Sequence, residues 1–275
     1  QIISFEEILS SCEEHIVSPA KDTDIATILF TSGTTGVSKG CLLSHRYAVR
    51  TAENMIEPNK VSVDDCVYTF YPLSHIGPAY YDILPTIMTG GRVVMRQRFS
   101  VSNFWQILEK YQCTWFSVVP TIISYLLNDN FDVSKLNLSS IRFGRSASAL
   151  LSPEVHKKFE QVFKVNVVET MGLTETAAQI LSNPLDRCKH GSAGIAYGNE
   201  VRVVNDQGNF IEPGESGELV IKGDNVMKQY YNNEEATKSS FTKDGYFYIL
   251  GESGFSKIKI NSNTLFNIWK ILIKI

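Results

Sequence analysis

The chain has 275 residues, 43% of them hydrophobic and 20% charged, a globular composition long enough for one large domain or two smaller ones. A net charge of −3 and a pI near 6.0 give no general nucleic-acid surface, so no nucleic-acid partner is expected and small-molecule chemistry is. Cys12, Cys41, Cys66, Cys113 and Cys188 form no CxxC pair and the five histidines no HxxxH or HExxH cluster, so the sequence carries no soft-ligand metal motif.

The amino-terminal QIISFEEILSSCEEH lacks the basic start and apolar core of a signal peptide, and no apolar run reaches the about 18 residues of a membrane helix. A cytoplasmic protein with free thiols and no transmembrane segment is the expectation. The chain starts without methionine and in mid-pattern, which reads as an incomplete sequence.

Apolar residues at helical spacing predict a short helix over 4–18, with Ser4 and Glu7 as a capping box. A polar linker leads to a strand over 25–31, read as buried, which feeds the loop FTSGTTGVSKG from Phe30 to Gly40. Here Gly33, Gly36 and Gly40 allow main-chain N–H groups to converge on an anion, Thr31, Ser32, Thr34, Thr35 and Ser38 supply hydroxyls, and Lys39 adds a charge. The nucleotide-binding P-loop is excluded, because it needs four residues between its glycines and a Lys-Ser/Thr pair at its end. A flexible Gly/Ser-rich surface loop is the competing reading.

Ser44 can cap a helix over 45–56. Strands over 66–71, 92–95, 114–118, 140–143 and 165–169 then alternate with helices over 78–88, 101–111, 121–127 and 153–163. This predicts an α/β fold with a mostly parallel sheet flanked by helices and ligands at the strand ends. From about residue 190 the alternating runs 200–204 and 218–222, with turn signals at Asp206-Gln207-Gly208 and Pro213-Gly214, predict a smaller antiparallel β section. The expected division is 1–190 for an α/β region incomplete at its amino terminus, 191–250 for a β-rich section of the same domain, and 251–275 for a divergent tail.

Three further stretches carry chemistry. In Glu169-Thr170-Met171-Gly172-Leu173-Thr174-Glu175-Thr176 a carboxylate and hydroxyls emerge beyond a predicted strand; on residue chemistry alone this is equally a helix cap with acids in its first turn. Gly144-Arg145-Ser146-Ala147-Ser148-Ala149-Leu150-Leu151-Ser152-Pro153-Glu154 is rich in small residues and also reads as a strand-to-helix turn with Pro153 in the first helical position. His75 in Tyr71-Pro72-Leu73-Ser74-His75-Ile76-Gly77 is a lone histidine, the type that is more often structural than catalytic.

The loop resembles the phosphate-binding signature TSGTTGxPKG of the adenylate-forming superfamily, which includes acyl-CoA synthetases, peptide-synthetase adenylation domains and firefly luciferase, with Ser38 at the usual proline. The other stretches are similar to the family's YGxTE, GAPLSPE and PLxHxxG elements, and Gly217 to Gly223 and Val226 to Asn232 look like its GELxIxG and VMxGYYN segments. The resemblance implies that ATP lies along Thr31, Ser32, Gly33, Thr34, Thr35, Gly36, Lys39, Ala147, Ser148, Ala149, Met171, Gly172 and Thr174. It assigns Lys39, Thr174 and Glu175 to catalysis, Glu175 to Mg²⁺, and His75, Gly144 and Gly172 to the acid substrate, with His75 positioning rather than transferring a proton. It further implies an acid–thiol ligase that activates a small-molecule carboxylic acid as its acyl-adenylate and passes it to coenzyme A. A carrier-protein thiol is the rival acceptor, and a binding-only remnant the rival class.

Met171 stands where the family carries tyrosine, and weaker adenine stacking is expected. After Tyr246-Phe247 the family's ribose-binding aspartate has no counterpart, Glu252 being a displaced carboxylate. The family's small carboxy-terminal domain with its lysine is missing, so the 275 residues alone are not expected to complete acyl-CoA synthesis.

Overall fold

A computed structural model describes residues 18–31, 38–129, 131–211, 216–249 and 259–261. All but the last residue of the expected helix over 4–18, as well as the turn at Pro213-Gly214 and Glu252, lie outside the described residues.

Strands β1 (Ile25–Thr31) and β2 (Lys39–Ser44) form an antiparallel pair in which Thr31 opposes Lys39 and Phe30 opposes Gly40, so the glycine loop joins two paired strands. The inner strand is β2: Cys41 and Leu43 are fully buried, whereas Ile25, Ile28 and Phe30 of β1 are 49%, 41% and 66% exposed. This corrects the expectation of a buried strand over 25–31. Apolar composition marks β1 as a strand, but β2 occupies the side that faces the core. Ser44 then caps helix α1 (His45–Asn59), accepting from the Tyr47 amide at 3.4 Å, and Lys60 ends the helix in the left-handed conformation.

The central sheet has seven strands in the order β4-β3-β5-β6-β7-β8-β9. Strands β3 (Cys66–Thr69), β4 (Arg92–Met95), β5 (Trp115–Val118), β6 (Phe143–Ser146) and β7 (Val167–Leu173) are parallel, and β8 (Ala178–Ser182) and β9 (Ile195–Ala196) extend the sheet antiparallel. Successive residues face opposite sides. Trp115 and Phe143 stack with ring centroids 5.5 Å apart in one core with Met55, Tyr81 and Ile180, while Phe116 enters a second core with Phe104, Trp105, Ile123 and Phe159. That second core lies under helices α3 (Val101–Lys110), α4 (Pro120–Asn128) and α5 (Pro153–Phe163).

Several boundaries differ from expectation; the first helix runs on to Asn59 and the first parallel strand stops at Thr69. The helix over 78–88 is a π-helical segment (Gly77–Ile83) followed by the short α2 (Leu84–Met88). The Leu84 amide reaches back to the Ala79 carbonyl, and Pro85, which has no N–H, follows directly. The fourth parallel strand starts at Phe143 instead of 140, because Ile141 closes a turn onto Leu138. The fifth runs on to Leu173 because β8, absent from the sequence reading, pairs with it.

The smaller sheet matches its prediction: β10 (Asn199–Val204) and β11 (Ser216–Gly223) pair antiparallel with Glu200 opposite Lys222. Strands β12 (Phe247–Tyr248) and β13 (Lys259–Asn261) also pair with β11, and α6 (Glu234–Ser239) precedes β12. Among the described residues no helix is long and apolar enough to cross a membrane.

One carboxylate ties together the starting ends of the parallel strands. Asp65, 1% exposed, takes two bonds from Arg142 Nη1 at 2.6 and 2.7 Å, one from Thr114 Oγ1 at 2.5 Å and one from the Ser62 amide at 2.8 Å. Arg142 Nη2 also donates to the Asn59 carbonyl at the end of α1. Replacing Arg142 by Met strands this buried carboxylate and is expected to cost about 3 kcal/mol, read by urea unfolding. A loss below about 1 kcal/mol would mean that water substitutes for the guanidinium.

Candidate functional site

Of the glycine loop, Ser32, Gly33, Thr34, Thr35 and Gly36 lie outside the described residues, and its two stems are described. Thr31 Oγ1 donates to the Lys39 carbonyl at 3.4 Å, and the Gly40 carbonyl accepts from the Tyr231 amide at 2.7 Å. The Lys39 ammonium sits 5.4 Å from the centre of the Tyr230 ring, a cation–π distance.

Thr174 and Glu175 lie in a 3-10 turn (Thr174–Thr176) that joins β7 to β8. Thr176 Oγ1 holds the turn closed, accepting from the Leu173 amide at 3.1 Å and bonding the Leu173 and Ala178 carbonyls at 3.0 Å. The pairing slips by one residue between Met171 and Gly172, and a Cβ on Gly172 would run into the Ala178 carbonyl. Glycine is therefore required there on packing grounds alone.

Glu175 is half-buried and held twice by the following section: its carbonyl accepts from the Met227 amide at 2.8 Å and its Oε1 from Tyr230 Oη at 2.9 Å. Lys39 and Glu175 thus meet on one tyrosine, with the buried Cys41 thiol beside them. Burial and then the Glu175 charge push both the Tyr230 hydroxyl and the Cys41 thiol upward, so each keeps its proton and Tyr230 acts as donor. An ammonium and a half-buried carboxylate this close suit a polyphosphate and a hard cation. Mg²⁺ takes one or two carboxylates and completes its shell with water and phosphate oxygens, and Glu175 fits that demand.

Ser146 opposes Glu169 across β6 and β7, so Ala147, Ser148 and Ala149 leave the sheet next to Met171 and Gly172. Ser148 has φ 70°, an uncommon left-handed conformation for a residue with a side chain. Leu151 donates its amide to Glu169 Oε1 at 3.3 Å and pins the far end of this segment. Gly144 lies inside β6, where a Cβ would stand 2.6 Å from the Phe116 ring; its nearest neighbour is core, not the Lys39–Glu175 group.

His75 is exposed, and its Nδ1 accepts from the Gly77 amide at 3.1 Å, which leaves the ring proton on Nε2. Desolvation, and secondarily the positive charge of Arg145, lower its pKa and favour the neutral ring.

Two residues acquired no role from sequence. Tyr230 lies in a stretch read as a structural connector, and only its contact with Glu175 reveals it. Arg145, within the small-residue stretch, is 8% exposed on a central strand: Nε donates to Thr170 Oγ1 and Nη1 to Ser117 Oγ, both at 3.1 Å, and Asp82 Oδ1 stands 3.7 Å from Nη1. Asp82 itself accepts from Ser117 Oγ at 2.5 Å and Thr69 Oγ1 at 2.7 Å; burial pushes its pKa up, against the pull of Arg145 and the two hydroxyls. A charged residue amid apolar strand positions was the available signal.

Residues 3–231 match the model of the family described as AMP-binding enzyme. Over 254 residues the chain is 41% identical to sulfoacetate–CoA ligase of Cupriavidus necator, covering 86% of this chain and 49% of that protein. It is 37% identical over 239 residues to oxalate–CoA ligase of Saccharomyces cerevisiae, covering 86% and 43%. Among solved structures, ATP-bound MatB from Rhodopseudomonas palustris superposes with a TM-score of 0.81 at 28% identity, covering 88% of this chain and 48% of that one. O-succinylbenzoate coenzyme A synthetase from Bacillus subtilis, in complex with ATP and magnesium ion, superposes with a TM-score of 0.78 at 29% identity, covering 90% and 52%. The chain spans about half the length of the curated relatives it matches. With its α/β architecture, parallel sheet and separate antiparallel sheet, the chain belongs to the AMP-binding enzyme family.

Proposed function

We propose that this chain supplies the nucleotide- and acid-binding part of an ATP-dependent acid–thiol ligase. The observation that carries the reading is the meeting of Lys39 and Glu175 on Tyr230, which brings together two motifs distant in sequence. A carboxylate oxygen of the acid attacks the α-phosphorus of ATP, the bond to the bridging oxygen breaks, and pyrophosphate leaves with its electron pair. The thiol of coenzyme A then attacks the acyl carbon, giving its proton to solvent, the acyl C–O bond breaks, and AMP departs with the electron pair. The names of the two curated relatives support coenzyme A over a carrier-protein thiol as acceptor, and a small acid bearing a second anionic group as substrate.

In this reading Thr31, Lys39 and the glycine loop from Ser32 to Gly36 hold the phosphates, and Thr174 adds a hydroxyl. Lys39 offsets charge that grows on the leaving pyrophosphate. Glu175, oriented by Tyr230, would hold Mg²⁺, which supplies charge neutralisation on the phosphates. Ala147, Ser148, Ala149, Met171 and Gly172 flank the nucleotide base, and His75 and Gly144 border the acid. No general base is required, because the attacking carboxylate is ionised near neutral pH. Residues 1–190 and 191–250 act as two sections of one AMP-binding domain, with 251–275 a divergent tail. The cytoplasm suits the reaction, and Cys41, Cys66, Cys113 and Cys188 are free thiols.

Lys39→Ala is expected to slow pyrophosphate release by about two orders of magnitude in the purified protein, in line with the loss of one preorganised charge donor. Unchanged release and unchanged ATP affinity would remove Lys39 from the phosphate site. Glu175→Gln is expected to raise the Mg²⁺ concentration for half-maximal activity by about tenfold or more. A magnesium titration that overlays the parent's would reduce Glu175 to a partner of Tyr230.

A further inference from the structure

Arg145 is harder to explain as a structural residue than its burial suggests. A guanidinium presents five N–H donors, and one that is almost fully buried needs acceptors for them. Two of its bonds go to the hydroxyls of Thr170 and Ser117. Asp82, the buried counter-charge, spends both carboxylate oxygens on Ser117 and Thr69 and approaches Nη1 only to 3.7 Å. The two hydrogen bonds with good geometry come from Nε and Nη1, and the Tyr81 hydroxyl interacts with the guanidinium without reaching that geometry. The Arg145 Cζ stands over the Tyr81 ring, 2.8 Å from its centre, and the hydroxyls of Tyr71 and Tyr81 are buried with no partner in hydrogen-bond geometry.

Arg145 also stands at the business end of the sheet. It is one residue from the carboxyl end of β6, is bonded to Thr170 of β7, and its positive charge reaches His75 and Tyr71 beyond the end of β3. A guanidinium whose counter-charge stays at 3.7 Å, beside two buried hydroxyls with no partner in hydrogen-bond geometry, is an arrangement that can take a planar or tetrahedral oxyanion. We propose that Arg145 binds the second negative charge of the acid being activated, selecting short acids that end in a carboxylate or sulfonate over acids with a neutral tail. This rests on the ligase reading of the site: the reacting carboxylate points toward Lys39 and Glu175, and the far anion reaches Arg145.

The test compares matched acids in the purified protein: oxalate, succinate and sulfoacetate against acetate, butyrate and propionate. Pyrophosphate release gives kcat and KM, and saturation-transfer NMR with Mg²⁺ and α,β-methylene ATP, whose α,β bridge is not cleaved, gives acid binding without turnover. The parent is expected to favour the dianionic acid by at least about tenfold in kcat/KM. Arg145→Gln should erase that preference through the KM of the acid, and Arg145→Lys, which keeps the charge and loses the fork, should retain part of it. Equal preference for neutral-tailed acids in the parent, by rate or by NMR, overturns the proposal, as does a preference that survives undiminished in folded Arg145→Gln. Should neither variant fold, the parent's acid preference by NMR decides. Loss of ATP binding in the parent would instead sink the ligase reading, which separates the two failures.

Discussion

The Asp65 carboxylate is the point from which the parallel sheet is hung. Through Arg142, Thr114 and the Ser62 amide it joins the end of α1 to the residues that lead directly into β3, β5 and β6, and the Asp65 main-chain carbonyl accepts from the Arg92 amide that starts β4. Parallel strands have no hairpin turns to set their stagger, so a shared anchor at one edge fixes where the opposite edge falls. Tyr71, Ser146 and Thr170 therefore emerge together at the carboxyl ends, where an open α/β sheet places its ligands.

At that edge the site is assembled from pieces that belong to different sheets. The hairpin of β1 and β2 brings Lys39, the turn between β7 and β8 brings Glu175, and the segment after β11 brings Tyr230. Tyr230 does this because its ring and its hydroxyl have different tastes: the face attracts the ammonium and the hydroxyl donates to the carboxylate. Desolvation keeps the phenol protonated, so the same side chain links opposite charges without adding one. The Cys41–Tyr230 bridge and the bond from Tyr231 to Gly40 carry the connection through the backbone.

The sheet also departs from the apolar rule at its centre. Asp82, Thr69, Ser117, Arg145 and Thr170 form a buried polar group between Tyr81 and the strand ends. Removing such charges from water is costly, and an apolar filling of the same volume would be at least as stable. The π-helical turn that carries Asp82 is itself an irregular element ahead of Pro85. Retaining both in a core otherwise built from Trp115, Phe143 and Met55 is understandable when the charge is turned toward a ligand.

Sequence alone determined the strand and helix alternation from β3 to α5, the mostly parallel sheet, the antiparallel run of β10 and β11 and the Ser44 cap, because periodicity and capping are local properties of a chain. Gly172 was singled out on the resemblance for a binding role, whereas the reason the structure gives for a glycine there is packing, a collision with Ala178 in the hairpin with β8. Burial of β1, the start of β6, the extension of β7 and the parts played by Tyr230 and Arg145 were decided only by tertiary structure. An apolar run does not say which of two paired strands faces the core, and a lone tyrosine or arginine carries no mark of the partner it will meet. Those outcomes depend on which faces are brought together across long stretches of chain, and packing, not local pattern, sets that choice.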